Sequence, residues 1–152
     1  MSWLSGTEIA KKIEECGDVA TREAFSGVYS IDSLPFAVKQ YPFFMIVNTQ
    51  THNLPGEHWK TIFIDRNKCG EVFDSLALPL SNTLIRWLNR FTRRFVVNRI
   101  AYQNPLSATC GSFAVFYVLN RLDDPKCVTT MFDGTPHEND KRVLAYYCTL
   151  LK

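Results

Sequence analysis

The sequence predicts an α+β fold in a single domain that spans residues 1–152. Residues 43–48 are a β-prone run, and residues 58–75 hold two such runs around a polar turn. Residues 108–119 are small or apolar except for a polar cluster at their start. Runs of β-branched and aromatic residues are typical of strands, whereas a long stretch without a polar face is typical of a buried helix. A chain of this length can bury a core without disulfides or metals.

The composition excludes several classes of protein. The net charge is +2, so the total charge gives no general attraction to nucleic acid or to a membrane surface. Five scattered cysteines, without a CxxC pair or paired Cys/His spacing, predict no zinc site, and their odd number fits a reducing compartment. No signal peptide and no apolar run long enough to cross a membrane is present, so we expect neither secretion nor a membrane span.

The first elements are predicted to be packing and connecting segments. Residues 7–16 form a short amphipathic helix, with Thr7 as its cap and Gly17 as its end. Residues 25–41 are predicted to be a loop, residues 43–48 a buried strand and residues 49–57 a polar loop. His52 lies in that loop and His137 lies in a later one, and neither is predicted to have a chemical role.

Residues 58–65 and 69–75 are predicted to form the two strands of a hairpin. If Asp65 and Cys69 close its turn, Asp74 lies opposite Lys60 and diagonally from His58, at roughly 7–8 Å between Cα atoms. Asp65 then points to the other face. A slip of one residue would exchange the two acids. On its own, a histidine at the start of a strand would carry no function.

Residues 81–99 are predicted to form a second helix, followed by a strand over residues 96–103. The helix has one apolar stripe and one basic stripe. An ordinary solvated face is the first interpretation of the basic stripe, and a phosphate-binding surface is the second. The basic stripe consists of Arg86, Arg90, Arg93 and Arg94.

Cys110 lies in the first turn of the buried helix, where backbone N–H groups and the helix dipole favour the thiolate. It is predicted to be the only thiol at a helix N-terminus. Gly111 leaves one side open for a substrate backbone, and Gln103 could offer an amide donor nearby. A buried structural cysteine is the alternative interpretation, but Cys110 with His58 and Asp74 supplies the three roles of thiol catalysis. Residues 123–140 are predicted to be a loop, and residues 141–151 a closing helix.

The order His58-Trp59, Phe73-Asp74-Ser75, Gln103 and Cys110-Gly111 resembles the adenovirus endopeptidase, adenain, and the wider group that includes the SUMO-specific proteases. Residues 26–29, 46–49 and 56–59 are also similar to the N-terminal half of adenain. Residues 103–111 keep its interval from glutamine to cysteine. The resemblance covers most of the chain.

The resemblance implies a mixed central sheet flanked by helices, with the cysteine-bearing helix packed at its centre. It implies that Cys110 is the nucleophile, His58 the base and Asp74 the acid that orients it. Gln103 would donate to the oxyanion together with the Cys110 backbone N–H. Trp59 and Gly111 are expected to contact the substrate.

The resemblance also implies a cysteine endopeptidase, expected to be monomeric, that cleaves Gly-rich sites and matures precursor proteins of a DNA virus or virus-derived element. It would act in the host nucleus, the cytoplasm or the virion. No metal or cofactor is expected. Adenain is stimulated by DNA and by a viral peptide, so either is a possible activator. Residues 75–103 contain no cysteine, so we expect no peptide tethered through that segment.

Three alternatives have the same fold. The first is a protease or deconjugase that acts on the C-terminus of a ubiquitin-like protein. The second is a catalytically idle binding module, which would have no chemical need for all four catalytic side chains. The third, a minor one, is acyl transfer to a hydroxyl or amine acceptor.

Overall fold

The computed structural model describes residues 3–49 and 58–151. Its sheet has five strands in sequence order. The two outer pairs, β1–β2 and β4–β5, are parallel, and the central pairs β2–β3 and β3–β4 are antiparallel. The predicted α+β class with a mixed sheet is therefore confirmed. The strands are β1 Phe25–Ser30, β2 Phe43–Asn48, β3 Trp59–Ile64, β4 Cys69–Phe73 and β5 Arg94–Val97.

Helices cover both faces of the sheet. One face packs against α1, α4 and α6 around Phe44, Phe63 and Phe113, and the other packs against α3 around Met45, Ile62 and Leu88. The helix α4 is buried from its first residue through Val118, as its apolar sequence predicts. The helices are α1 Gly6–Cys16, α2 Val19–Ala24, α3 Asn82–Phe91, α4 Cys110–Asn120, α5 Cys127–Met131 and α6 Pro136–Thr149.

The prediction of a loop over residues 25–41 is wrong at its start. Phe25–Ser30 is β1, and α2 precedes it with Asp18 as its cap. Parallel pairing with β2 stabilises this strand, although its sequence is poor in apolar residues. The register shifts between Phe25 and Gly27, where Gly27 takes a φ of 145°, a conformation that only glycine adopts easily.

The first helix begins one residue earlier than predicted and ends as predicted. Ser5, rather than Thr7, is its cap, and Ser5 and Glu8 form a reciprocal capping box. Gly17 ends the helix, and its N–H donates to the Ile13 carbonyl.

The prediction of a helix through residue 99 is wrong, because α3 ends at Phe91. Thr92 has extended backbone angles, and its hydroxyl donates to the Leu88 carbonyl over 2.6 Å. The N–H of Arg93 then donates to the Lys68 carbonyl, which directs the chain into β5 beside β4. The predicted strand over residues 96–103 therefore begins at Arg94 and ends at Val97.

The predicted loop over residues 123–140 also contains helices. The helix α5 lies within it, and α6 begins at Pro136 rather than at residue 141. Thr135 and Glu138 form a capping box around Pro136, which is a favoured residue in the first turn of a helix. None of the helices in the described ranges combines the length and apolar character needed to cross a bilayer. The predicted loop over residues 49–57, apart from Thr49, and His52 lie outside the described residues.

Candidate active site

The hairpin of β3 and β4 brings His58 and Asp74 together. Its turn closes as predicted, because the N–H of Asp65 donates to the Cys69 carbonyl over 3.0 Å. Thr61 pairs with Phe73, so Lys60 and Asp74 are the next positions along the two chains. His58 Nε2 lies 2.9 Å from Asp74 Oδ1, and the two residues are 7% and 0% exposed. The predicted register is therefore confirmed.

Asp65, the alternative acid, stabilises the hairpin turn. Its Oδ1 accepts hydrogen bonds from the backbone N–H groups of Asn67 and Cys69, over 2.8 and 2.9 Å. These bonds hold the hairpin turn, in the way that aspartate side chains commonly stabilise turns. The turn thereby fixes the register that aligns Asp74 with Lys60.

Each carboxylate oxygen of Asp74 has two polar contacts. Oδ1 accepts from the His58 ring and from the N–H of Leu76, over 2.9 and 2.8 Å. Oδ2 contacts Lys60 Nζ at 3.1 Å and accepts from the N–H of Leu78 over 3.0 Å. Burial raises the pKa of Asp74, but the His58 hydrogen bond, the neighbouring positive charges and the Leu76 N–H together hold it below its ordinary value. Asp74 is therefore ionised at neutral pH.

Asn98 fixes the backbone of Asp74. Its Oδ1 accepts from the Asp74 N–H over 2.8 Å, and its Nδ2 donates to the Asp74 carbonyl over 2.7 Å. Asn98 directly follows β5, so the end of that strand supports the position of the acid. The sequence analysis did not identify this contact, because it depends on the parallel pairing of β4 with β5.

Cys110 is the first residue of α4 and is 1% exposed. The backbone N–H of Trp59 donates to its sulfur, which places Cys110 against the residue that follows His58. Its own N–H and that of Gly111 also point toward the sulfur. The Thr109 side chain makes no capping bond to the helix and instead donates to Asp140 over 3.0 Å.

Burial, with a smaller contribution from the charge of Asp74, raises the pKa of the Cys110 thiol to about 11, although three backbone N–H groups act to lower it. The prediction that the helix N-terminus favours the thiolate is therefore wrong for the resting site, because burial has the larger effect. Asp74 binds Nε2 of His58, which leaves Nδ1 as the second ring nitrogen.

The prediction that Cys110 is the only thiol at a helix N-terminus is also wrong. Cys127 is the first residue of α5 and is likewise buried. Burial raises its pKa to about 11, and its charged neighbours are Asp124, Arg121 and Glu71. The two cysteines therefore differ in their neighbours: Cys110 lies beside the His58–Asp74 pair, and Cys127 lies among carboxylates and an arginine.

The Gln103 side chain is fully buried and held at both ends of its amide. The Ser75 hydroxyl donates to Oε1 over 2.5 Å, and Nε2 donates to the Ser107 carbonyl over 3.0 Å. The Ser75 contact directs the amide nitrogen toward the loop that leads into Cys110. Ser75, the last residue of the Phe73-Asp74-Ser75 motif, thus orients Gln103, a contact that the motif alone does not predict.

The predicted substrate contacts of Trp59 and Gly111 do not agree with their surroundings. Trp59 is buried, and its ring N–H donates to the Leu4 carbonyl over 3.2 Å. A Cβ on Gly111 would lie 3.0 Å from the Leu4 Cβ and 3.4 Å from Ile9 Cδ1. The side of Gly111 that was predicted to be open is therefore occupied by the N-terminal segment and α1.

The four arginines do not form one helical stripe. Arg86 and Arg90 lie one turn apart on α3, Arg93 follows the helix, and Arg94 begins β5. All four are exposed. The single stripe predicted from the sequence is wrong, because Thr92 ends the helix between the two pairs.

Two clefts border the loops that hold the site. One, of about 620 Å³, lies between residues 77–80 and 95–99, and the other, of about 420 Å³, lies between residues 104–109 and the start of α6. Within residues 3–49 and 58–151, no three His, Cys, Asp or Glu side chains group to hold a metal ion. The arrangement can therefore orient the His58 imidazole on a buried carboxylate, with the two clefts at the loops that follow Asp74 and precede Cys110.

Comparison with known proteins relates the chain to viral cysteine proteases, although no protein-family model matches it. The sequence is 30% identical over 92 residues to the cysteine protease S273R of African swine fever virus, covering 52% of this chain and 33% of that protein. The chain thus spans about a third of the length of this curated relative. A crystal structure of the pS273R protease superposes with a TM-score of 0.68 and 19% identity, covering 93% of this chain and 66% of the other.

The fold also occurs in a bacterial protein. The Chlamydia abortus effector protein ChlaDUB superposes with a TM-score of 0.50 and 15% identity, covering 95% of this chain and 77% of the other. The identity to both solved structures is low, so the superpositions establish the fold. The chain therefore has sequence similarity to the African swine fever virus cysteine protease and shares the α+β fold of the pS273R structure.

Proposed function

We propose that this chain is a cysteine endopeptidase in which Cys110 is the nucleophile, His58 the base and Asp74 the orienting acid. The observation that carries this proposal is the buried 2.9 Å contact between His58 Nε2 and Asp74 Oδ1 beside a cysteine at the N-terminus of α4. Nucleophilic thiol catalysis uses a thiol, an imidazole that takes the thiol proton and a carboxylate that orients the imidazole.

In the proposed reaction the Cys110 sulfur attacks the scissile carbonyl as His58 takes the thiol proton at Nδ1. The tetrahedral intermediate collapses when the C–N bond breaks, and the same proton passes to the leaving amine. Water then hydrolyses the thioester, with His58 as base, and restores the thiol. Asp74 holds the tautomer of the imidazole and stabilises the imidazolium that forms.

The proposed substrates are Gly-rich sites in precursor proteins of a DNA virus or a virus-derived element. The sequence match to a protease of a large DNA virus supports the viral setting. Incubation with Gly-Gly peptides, viral-type precursor fragments, and SUMO and ubiquitin fusions tests the proposal. We expect cleavage of the peptides and precursors, with complete loss after thiol alkylation. Cleavage of only the fusions would favour the deconjugase alternative, and no cleavage of any substrate by the folded protein would reject the proposal.

We predict that Gln103→Ala lowers kcat by about 100- to 1000-fold, the usual loss for one oxyanion-hole donor. KM should change far less. Gln103→Glu keeps the shape and the acceptor for Ser75 but also loses the bond to the Ser107 carbonyl, so its thermal unfolding is measured beside its kinetics. Steady-state kinetics of both variants check the prediction. An increase in KM with kcat unchanged would assign Gln103 to substrate binding instead.

We also propose DNA as an activator, as the resemblance to adenain implies. Two exposed arginines one turn apart on α3, Arg86 and Arg90, are the local support for it. We expect duplex DNA affinity to fall steeply with salt and the slope to drop by roughly one unit per arginine removed. Binding by an Arg86→Glu, Arg90→Glu variant is compared with Lys11→Glu, Lys126→Glu, which changes the net charge equally. Equal losses in the two variants would argue against a site on α3.

A further inference from the structure

We propose that Lys60 is a positioning residue, whose buried ammonium keeps Asp74 ionised and turned toward His58. The inference rests on the proposed function, because it assigns Lys60 a role through the acid of that site. The hairpin register predicts Lys60 opposite Asp74. A lysine within a strand that is apolar apart from Thr61, opposite an acid, is the signal of this pair in the sequence.

The ammonium of Lys60 has three oxygen neighbours. Its Nζ lies 3.1 Å from Asp74 Oδ2 and donates to the carbonyls of Leu78 and Pro79 over 2.7 and 3.1 Å. The residue is only 2% exposed. A cation in this position therefore has a fixed geometry rather than the mobility of a surface lysine.

Packing alone does not require a charge at this position. By the alternation of a strand, Lys60 shares a face with Ile62 and Ile64, which lie in the apolar cluster against α3. A methionine would fill a similar volume without desolvating a charge, and burial of a charge is unfavourable unless it is paired. The lysine thus offsets another buried charge, and the carboxylate that it contacts is Asp74.

The two oxygens of the Asp74 carboxylate have different partners, and Lys60 positions the carboxylate through one of them. Lys60 and Leu78 bind Oδ2, which leaves Oδ1 for His58 and Leu76. Rotation of the carboxylate away from His58 would break both contacts on Oδ2. Lys60 also ties residues 78 and 79 to β3, and so holds the loop whose N–H groups bind the same acid.

Three titratable groups face Asp74 within the described ranges. His58 directly precedes β3, Lys60 lies in β3, and Cys110 begins α4. The charge of Asp74 opposes ionisation of Cys110. The positive charge of Lys60 reduces that opposition, and it also favours the ionised form of Asp74. Removal of the charge should therefore affect the pH dependence of the site and not only its activity.

The test compares Lys60→Met, which removes the charge and keeps the length of the side chain, with Lys60→Arg, which keeps the charge. Carbon NMR titration follows the Asp74 carboxyl, and pH profiles of kcat/KM follow cleavage. In Lys60→Met, we expect Asp74 to titrate at higher pH and kcat/KM to fall about tenfold further at mildly acidic than at neutral pH. In Lys60→Arg, the Asp74 titration and the pH profile of kcat/KM should stay at the same pH as in the wild type, even if the cleavage rate falls. Lys60→Gln is the second uncharged variant if Lys60→Met does not fold.

A uniform loss of activity in the uncharged variant, with the Asp74 titration unmoved, would overturn the inference and make Lys60 a purely structural residue. An equal shift of the Asp74 titration in Lys60→Arg would also overturn the inference, because that variant keeps the positive charge. The NMR titration needs no substrate. A chain without peptidase activity would therefore reject the proposed function while the titration still decides the role of Lys60.

Discussion

Cys110→Ala is expected to abolish peptide cleavage, with a loss on the order of 10⁶-fold, the scale for removal of a catalytic nucleophile. The remaining His58–Asp74 pair cannot form a covalent intermediate. The substitution removes one buried sulfur, so it should lower the free energy of unfolding by only about 1 kcal/mol. Progress curves at high enzyme concentration and thermal unfolding of the same sample measure the two effects.

Cys127→Ala is the matched control for that prediction. Cys127 is also buried, begins a helix and has a pKa raised to about 11, but the charged groups that act on it are Asp124, Arg121 and Glu71 rather than Asp74. We expect it to keep activity, as should single replacements of Cys16, Cys69 and Cys148. Full activity of Cys110→Ala, or loss of activity in Cys127→Ala with the fold intact, would contradict the assignment of the nucleophile.

Local turn chemistry explains why the sequence could predict the position of Asp74. Asp65 and Cys69 close the hairpin, and the three residues between them are polar and include Asn67, so the pairing could be counted along both strands. The buried helix could be predicted for a similar reason, since residues 108–119 have no polar face. In both cases the information lies within a short stretch of sequence, and no distant contact is needed.

Non-local contacts explain what the sequence could not predict. The strand β1 is stabilised by parallel pairing with β2, and its own sequence is interrupted by Gly27. Likewise, α3 ends at Phe91 because Arg93 bonds to Lys68 in the hairpin turn and the chain then pairs with β4. Such partners are not visible in a local pattern.

The same limit applies to the chemistry of the site. The N-terminus of α4 suggested a low pKa for Cys110, but its burial under neighbouring elements has the opposite and larger effect. The open side of Gly111 was likewise inferred from its missing side chain, and Leu4 and Ile9 occupy that side. The supporting contacts of Ser75, Asn98 and Lys60 require the three-dimensional fold as well.

Asp74→Asn is expected to have two separate effects, the first of which is on stability. The change leaves the ammonium of Lys60 buried without its carboxylate, and breaking a buried pair in this way costs about 3 kcal/mol or more. Because the Asp74 pKa is held below its ordinary value, this stabilisation is present above about pH 4 and is lost as the pH falls through the folded pKa. Unfolding followed against pH should show this acid-dependent component in the wild type and not in Asp74→Asn.

The second effect is on catalysis and must be measured on folded protein. The asparagine side chain of the variant can present its amide group to His58 Nε2, which favours the wrong tautomer and no longer stabilises the imidazolium. We expect kcat to fall by up to about 10⁴-fold, as for the corresponding change in a Ser-His-Asp triad. Adding Lys60→Met to Asp74→Asn removes the unpaired cation, so it should recover stability without recovering the rate. Asp65→Asn keeps an oxygen for the hairpin turn and should retain most activity. A larger loss in Asp65→Asn than in Asp74→Asn would show that Asp74 is not the acid that orients His58.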